Sequence, residues 1–201
     1  LEKATQALKN SLEAKGIDYK LQEGEGAFYG PKIDMNIEDA MGRKWQCGTV
    51  QVDFFLPQNF EMKYIDSDQS KKIPVMIHRA IYGSLERFIG ILTEHYKGRF
   101  PFWFAPVQVR ILTITDEQKE YAKEILNKFK EKDIRIELDE SGDQISGQIR
   151  HAQEDKLPWM LIVGKKEQEN KTVTLRHSDG KQEFGLKVDD LIQKAVELSK
   201  Y

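Results

Sequence analysis

The chain of 201 residues contains one cysteine, no long apolar run and almost no net charge. A single thiol, Cys47, excludes an intramolecular disulfide and is typical of a reducing compartment. No signal-peptide pattern and no apolar run of membrane-spanning length occurs, which argues against secretion and against a membrane protein. Because 31 basic and 33 acidic residues leave a net charge of −2, any contact with nucleic acid must depend on local clusters of charge. We therefore expect a cytoplasmic protein.

The length of the chain and a proline-containing join predict two domains. The chain starts at Leu1 without a methionine and already within a helical pattern, so we expect it to be part of a longer protein. Its 201 residues exceed the commonest domain size. Residues 97–106, KGRFPFWFAP, include two prolines and form the stiffest candidate for a domain boundary. We predict domains at residues 1–104 and 105–201.

Two stretches in the first domain alternate between apolar and polar residues. Residues 33–37 and 45–55 have a period of two, and a DAMG turn lies between them, which predicts two antiparallel strands. Strict alternation puts Gln46 and Gln51 on opposite faces of the second strand. Both could reach one ligand only if a β-bulge lies near Gly48.

Residues 74–96, PVMIHRAIYGSLERFIGILTEHY, organise the first domain. We predict a strand at 74–77, a turn at His78 and Arg79, and a long helix from Ala80. On a helical rise, the side chains of His78 and Arg87 would lie about 13 Å apart. Glycines before and after Arg87 suggest that a planar or anionic ligand approaches it closely. The alternative is a core helix with a surface arginine and a loop histidine.

From residue 107 onward, strand-like and helix-like patterns alternate. This alternation predicts an α/β layer sandwich with a mostly parallel sheet. Thr115 or Asp116 is suited to cap the first helix. The predicted strands are 107–115, 134–138, 159–163, 172–176 and 182–185, the predicted helices are 116–132, 144–156 and 188–199, and residues 164–170 are predicted to be a charged turn.

Four sequence blocks, in this order and spacing, resemble the threonyl-tRNA synthetases over the whole chain. They are GEGAFYGPKID, WQCGTVQVDF, PVMIHRAIYGSLERFIGIL and FPFWFAPVQV. The segment GSLERF is similar to the third signature of class II synthetases. The resemblance implies an α+β, antiparallel-sheet portion of a class II catalytic domain, followed by an α/β three-layer anticodon-binding domain with a mostly parallel sheet.

The same resemblance implies which residues bind threonine. Tyr29, Gln51 and His78 match the family's threonine-binding positions, and His78 matches the last of three zinc ligands. Zinc can be chelated by the amino and hydroxyl groups of threonine together, so valine, which lacks the hydroxyl, is rejected. The family's ligand cysteine lies upstream of this chain, and we interpret Cys47 as structural.

For the nucleotide, the resemblance implies ATP-binding residues at Gln46, Thr49, Ser84 and Arg87, with Mg²⁺ as the accompanying ion. Arg87 matches the arginine that stacks under adenine and neutralises phosphate. Lys32 matches a lysine near the reacting carboxylate and the α-phosphate. We therefore predict Arg87 and Lys32 as catalytic residues that stabilise developing charge.

In the second domain, Arg150, Glu167 and Arg176 match family positions that bind the anticodon of tRNA(Thr). Arginine can stack on an unstacked base, and glutamate can accept hydrogen bonds from a base edge. The chain departs from bacterial relatives at residues 141–144, where SGDQ replaces an Arg-Asn-Glu-Lys run. Loss of those basic residues weakens phosphate contacts and puts this loop's contact with the anticodon in doubt.

The resemblance implies a homodimeric threonine–tRNA ligase for the intact enzyme, with threonine, ATP and tRNA(Thr) as substrates. The first two class II signatures and two zinc ligands do not occur in this sequence, so we expect the chain alone not to activate threonine. One alternative is a non-catalytic tRNA- or RNA-binding module derived from a synthetase. Another is a class II synthetase of the prolyl or glycyl type, against which His78 argues.

Overall fold

The computed structural model describes residues 2–200, so Leu1, where the predicted helical pattern starts, and Tyr201 lie outside the described residues. The chain divides into two compact units, one ending at His95 and the other beginning at Tyr96. The domain boundary after residue 104 stays a prediction. Among residues 2–200, no helix is long and apolar enough to cross a membrane.

The first unit is built around a three-stranded antiparallel sheet in the order β1-β2-β5. This confirms the two antiparallel strands expected from alternation, and a turn beginning at Asp39 joins them. The elements of the unit are α1 (Glu2–Glu13), β1 (Lys32–Glu38), β2 (Lys44–Asp53), α2 (Leu56–Asn59), β3 (Tyr64–Ile65), β4 (Lys71–Lys72), β5 (Met76–Ala80) and α3 (Leu85–Tyr96).

A β-bulge interrupts the pairing of β1 with β2 at Cys47. Met35 pairs with Gly48, but the next residue of β1, Asn36, pairs with Gln46, so Cys47 is the extra residue. This is the bulge that the sequence required near Gly48. One inserted residue reverses the alternation, so Gln46 joins the face of β2 that carries Thr49 and Gln51.

The predicted helix from Ala80 is wrong at its start, and the predicted turn at His78 and Arg79 is wrong as well. Both residues lie in β5, which pairs with β2, and α3 begins only at Leu85. Gly83 explains the late start, because its φ of +68° is left-handed and incompatible with a helix. A Cβ on Gly83 would lie 2.7 Å from the carbonyl oxygen of Cys47, so glycine is needed where the chain crosses β2.

The second unit alternates strands and helices as predicted, with one correction. Residues 164–170, predicted as a turn, contain a short helix, at whose start the backbone N–H of Gly164 donates to Oε2 of Glu167 at 3.1 Å. Thr115 begins the first helical segment with a capping box to Gln118. The elements are β6 (Val109–Thr113), a 3-10 turn (Asp116–Gln118), α4 (Lys119–Lys130), β7 (Ile136–Leu138), α5 (Ile145–Glu154), β8 (Trp159–Val163), α6 (Lys165–Asn170), β9 (Thr172–His177), β10 (Gln182–Lys187) and α7 (Val188–Leu198).

The sheet of this unit has the order β10-β9-β8-β6-β7. Strands β7, β6 and β8 are parallel, β9 is antiparallel to β8, and β10 is antiparallel to β9, so four of the five strands share one direction. One hydrophobic cluster joins the sheet to α4 and α7, and a second, smaller cluster joins it to α5. The expected three-layer α/β fold with a mostly parallel sheet is confirmed.

Candidate functional site

One face of the three-stranded sheet gathers most of the polar residues predicted for the first site. Lys32, Gln51 and His78 lie directly opposite one another on the three strands, and opposed residues point to the same side. Thr49 shares that face because it lies two residues from Gln51. The structure therefore brings together side chains that are up to 46 positions apart in the sequence.

Asp34 connects this polar face, although the sequence did not single it out. Its Oδ1 accepts hydrogen bonds from Nε2 of Gln46 at 2.7 Å and from Oγ1 of Thr49 at 2.9 Å. Its Oδ2 lies 2.6 Å from Nζ of Lys32. Gln46 and Thr49 can share one carboxylate only because the bulge at Cys47 turns both to the same side. The ammonium group of Lys32 is held beside the two ATP-site candidates.

Tyr29 joins the face from a loop before β1. Its hydroxyl donates to Oε1 of Gln51 at 2.6 Å, and its ring centroid lies 6.2 Å from that of His78. Gly30 makes this approach possible, because a Cβ there would lie 2.0 Å from the carbonyl oxygen of Val52. The three residues predicted for threonine binding, Tyr29, Gln51 and His78, thus form one group.

The buried carboxylate of Asp53 contacts this group through His78. Oδ2 of Asp53 lies 2.8 Å from Nε2 of His78, and its Oδ1 accepts backbone N–H bonds from Phe55 at 2.7 Å and Leu56 at 3.0 Å. Burial alone would raise the pKa of Asp53, but the donors Leu56, His78 and Phe55 outweigh it and lower that pKa. Asp53 lies two residues after Gln51 on the same strand, so the alternation of the sequence could have predicted that both side chains lie on one face.

At the other end of β2, Arg87 contacts the strand from α3. Its Nη1 donates to the backbone oxygen of Gln46 at 3.0 Å, and its guanidinium carbon lies 5.8 Å from the ring of Trp45. Ser84 accepts a bond from the backbone N–H of Arg87 at 3.3 Å and donates to Glu86 at 2.6 Å, which lowers the pKa of Glu86. Ser84 therefore fixes the first turn of the helix that carries Arg87.

The structure changes how the separation of His78 and Arg87 is understood. Since His78 lies on a strand opposite Gln51, the separation of about 13 Å from a helical rise does not apply. Arg87 contacts the strand at Gln46, five residues earlier, so the two contacts lie roughly 16 Å apart along β2. A cation and hydrogen-bonding groups at one end, and an imidazole with amide and phenol groups at the other, suit an elongated polar ligand.

His78 is the one residue of this sequence that we predicted to be a metal ligand. Within residues 2–200, no three histidine, cysteine or acidic side chains are grouped so that they could hold a metal ion. Cys47 is buried at the bulge next to Gly83. His78 has a side chain 37% exposed, and its partner Asp53 is completely buried.

The residues predicted to bind the anticodon lie in the second unit, on the side of the sheet that faces α5. Arg176 pairs across the sheet with Met160, which belongs to the α5 cluster, and Thr174 shares its face. Glu167 is held by Oγ1 of Thr174 at 3.0 Å and by the backbone N–H of Gly164 at 3.1 Å. Arg150, on α5, is exposed and lies 3.3 Å from Glu154.

Arg176 differs from the other two because part of its guanidinium is desolvated. Its Nε is buried and has no hydrogen-bond partner among the described residues, although its side chain is partly exposed. Nη2 lies 3.7 Å from the position that a Cβ on Gly180 would occupy. The hairpin turn at Gly180 therefore leaves room beside the guanidinium.

Acidic side chains lie in and beside the loop at residues 141–144. Oδ1 of Asp139 accepts two hydrogen bonds from Ser141, one from the backbone N–H at 3.0 Å and one from the hydroxyl at 2.6 Å. Asp143 lies 3.4 Å from His151. The loop offers carboxylates where a phosphate-binding loop would offer cations.

Comparisons with known proteins divide the chain in two. Residues 1–96 match the family described as tRNA synthetase class II core domain (G, H, P, S and T). Residues 108–198 match the family described as anticodon binding domain. A threonine–tRNA ligase of Acetivibrio thermocellus is 51% identical over 199 residues, which is 99% of this chain and 31% of that protein. The chain thus spans about a third of the length of the curated relatives it matches.

Solved structures are similar to the chain over most of its length. The RNA binding domain of threonyl-tRNA synthetase from Cryptosporidium parvum Iowa II is similar with a TM-score of 0.87 and 41% identity, covering 98% of this chain and 50% of that one. A prolyl-tRNA synthetase from the same organism has a TM-score of 0.68 and 22% identity, covering 90% of this chain and 39% of that one. At that identity, the second match shows a common fold alone.

Proposed function

The chain belongs to the threonyl-tRNA synthetase family, as the end of a class II catalytic domain followed by an anticodon-binding domain, and from this premise we propose that the whole protein is a threonine–tRNA ligase. It would activate threonine with ATP and Mg²⁺ and transfer it to tRNA(Thr). Both steps depend on positioning and on stabilisation of charge. The observation that carries the proposal is the polar face on which Lys32, Gln46 and Thr49 share Asp34.

In this proposal, Tyr29, Gln51 and His78 hold the amino acid. The phenol and amide of the first two are already joined by a hydrogen bond of 2.6 Å, so they form a fixed polar edge. His78 fits the role of one zinc ligand, because a buried carboxylate holds one ring nitrogen and the described residues leave the other without a partner. Bound zinc would supply a Lewis acid that distinguishes the threonine hydroxyl from a methyl group. Two further ligands would come from the part of the relatives that this chain does not span.

Gln46, Thr49, Ser84 and Arg87 are proposed to bind ATP. Arg87 is anchored on the backbone of Gln46, so its planar guanidinium is oriented before a nucleotide arrives. Ser84 acts in this site through the cap that it gives to α3. Lys32 would stabilise negative charge between the amino acid carboxylate and the α-phosphate, with Asp34 holding its ammonium group.

We propose that Arg150, Glu167 and Arg176 contact the anticodon. The side chain of Arg176 is partly exposed, so its guanidinium can donate to a base or phosphate acceptor. Glu167 is already held by Thr174 and Gly164, so it would present a fixed carboxylate to a base edge. The whole protein is proposed to be a cytoplasmic homodimer.

The experiment measures threonine-dependent ATP–pyrophosphate exchange by the whole protein and by its His78→Ala variant. We expect exchange in the unmodified protein with threonine and not with valine. In the variant, zinc content and exchange should fall by at least tenfold, whereas binding of tRNA(Thr) should survive. Binding of tRNA without any exchange in the unmodified protein would instead identify a non-catalytic RNA-binding module.

A further inference from the structure

We propose that Phe184 on β10 is a further anticodon-binding residue: one anticodon base stacks on its ring while Glu167 accepts hydrogen bonds from the edge of the same base. This deepens the proposed function, since it rests on Glu167 and Arg176 contacting the anticodon of tRNA(Thr). The family resemblance did not single out Phe184. Two observations support its role: its ring is exposed, and it lies on the face of the sheet that carries Arg176.

The ring of Phe184 is open to a ligand. Among the described residues, it is the most exposed of the large apolar side chains in the second unit, at 72%. Within residues 2–200, no other aromatic ring and no cation is stacked on it. A planar ligand could therefore cover a face of the ring and remove apolar surface from water, which is favourable.

A β-bulge in β10 determines the face to which Phe184 points. Two residues, Phe184 and Gly185, lie opposite one residue of β9, Thr174. The regular pairs on either side of the bulge are Glu183 with Leu175 and Leu186 with Val173. Both of those partners on β9 belong to the cluster under α4 and α7, so alternation puts Thr174 and the ring of Phe184 on the opposite face. Gly185 suits the bulge because its φ of +65° is left-handed.

The residues proposed to read the anticodon lie beside Phe184. Oγ1 of Thr174 donates to Oε1 of Glu167 at 3.0 Å, so this carboxylate is held at the strand position that Phe184 faces. Arg176 follows Thr174 by two residues and points to the same side of the sheet. Since side chains across a strand pair have Cβ atoms about 4.5–5.5 Å apart, the ring, the carboxylate and the guanidinium can all contact one short RNA segment.

This part of the face is left open by α5. The cluster between the sheet and α5 consists of Leu112, Ala152, Leu157 and Met160, with Val107, Ile145, Ile149 and Ile162 packed against it. Among the described residues, it includes none from β9 or β10. Because β10 is also an edge strand, a single RNA strand could approach from solvent.

An aromatic ring and a carboxylate contribute differently to the recognition of an unpaired base. Every base has a π-face, so stacking on Phe184 would add affinity with little regard to sequence. A carboxylate accepts hydrogen bonds only from the N–H groups of a base edge, so Glu167 would supply the discrimination. With the base held flat on the ring, its edge is directed to the carboxylate that Thr174 holds.

The test measures the Kd of the whole protein for tRNA(Thr) at several salt concentrations. We expect Phe184→Ala to raise the Kd about 5- to 100-fold, because stacking is lost. The slope of log Kd against log salt should stay unchanged, since the ring neutralises no phosphate. Phe184→Tyr keeps the ring and should bind within threefold of the unmodified protein. The matched control is Leu198→Ala, an exposed apolar residue of α7 on the other side of the sheet, which should bind within twofold.

A double-mutant cycle between protein and RNA identifies the stacked base. Each anticodon nucleotide of tRNA(Thr) is replaced in turn by an abasic one, and binding is measured with the unmodified protein and with Phe184→Ala. At one position, we expect the abasic replacement to weaken the unmodified protein markedly and Phe184→Ala much less, because the same contact cannot be lost twice. Losses that multiply at every position would overturn the inference, as would a Phe184→Tyr variant that binds as weakly as Phe184→Ala.

The outcomes also separate this inference from the proposed function. If Phe184→Ala binds within twofold of the unmodified protein while Arg176→Ala binds at least tenfold more weakly, the face contacts the tRNA without the ring and the inference fails alone. Such a result would leave a second protein chain as the occupant of the exposed ring. If Arg176→Ala and Glu167→Ala also bind within twofold, the proposed anticodon contact fails as well.

Discussion

At the scale of single residues, Asp39 is the group on which the hairpin turn depends. Its Oδ1 accepts the backbone N–H groups of Met41 and Arg43, each at 2.9 Å, and its Oδ2 accepts from Nε of Arg43 at 2.6 Å. The indole N–H of Trp45 donates to the same Oδ2 at 2.7 Å. Because the ring of Trp45 lies beside Arg87, this turn carboxylate also supports the arginine proposed to bind ATP.

Asp39 should make the first unit sensitive to acid. The hydrogen bond from Trp45, which outweighs the effect of burial, lowers the pKa of Asp39 well below the unperturbed 3.8. A lowered pKa in the folded state gives stability that is complete above pH 3.8 and is lost as pH falls towards the folded pKa. We expect Asp39→Asn to be less stable than the unmodified chain at pH 6, with the difference narrowing from pH 4 to pH 3.

The measurement for Asp39 is the urea midpoint of unfolding between pH 6 and pH 3. The control is Asp18→Asn, because Asp18 is exposed in the segment after α1. Its midpoints should run parallel to those of the unmodified chain. Parallel curves for Asp39→Asn as well would show that the turn carboxylate has the same proton affinity in both states.

The resemblance supplied the site residues that would touch a ligand, but not the residues that hold them. Asp34 and Asp53 each lie two residues from a predicted site residue, Lys32 and Gln51, so alternation puts them on the same face. Their importance depends on which side chains lie across the sheet, and a single sequence does not specify strand register. The sequence pattern therefore predicts the sheet face on which Asp34 and Asp53 lie, but it does not predict which side chains they bind.

At the scale of elements, local sequence patterns correctly predicted the β1–β2 hairpin. They gave the wrong start for α3, because that start depends on non-local contacts. The bulge followed from the need for Gln46 and Gln51 to share a face, and the structure has it at Cys47. The helix start was wrong because Ile81 and Leu85 fit a helical spacing even though Gly83 cannot be helical. What fixes Gly83 is the backbone of Cys47, 36 residues earlier, and no local pattern contains that information.

The two glycines around Arg87 should respond oppositely to alanine. Gly83→Ala forces a left-handed backbone on alanine and brings Cβ to 2.7 Å from the oxygen of Cys47, so we expect a loss of about 1–2 kcal/mol or more. Gly90→Ala is the matched control, since its Cβ would meet nothing within 4 Å inside α3. Alanine there should stabilise the helix by up to about 1 kcal/mol. Denaturant midpoints test both, and a neutral Gly83→Ala would contradict the crossing contact.

At the scale of the whole molecule, the buried apolar side chains are unevenly divided. Among the described residues, the first unit contributes Cys47, Val52, Pro57 and Ile91 to the buried apolar set, and the remainder belong to the second unit. The first unit instead exposes many large apolar side chains, such as Phe28, Ile77 and Leu85. Since apolar burial is the dominant stabilising contribution, the second unit should unfold at a higher denaturant concentration than the first.

Phe129 and Phe184 allow a matched test of where that stability originates. Phe129 on α4 is 0% exposed within the main cluster, and Phe184 on β10 is 72% exposed. We expect Phe129→Ala to cost the second unit about 3–5 kcal/mol, and Phe184→Ala less than about 1 kcal/mol. Hydrogen exchange with peptide resolution during urea unfolding follows residues 1–95 and 96–201 separately, and Phe129→Ala should move only the later transition. A single transition that shifts as a whole in Phe129→Ala would show that the two cores do not unfold independently.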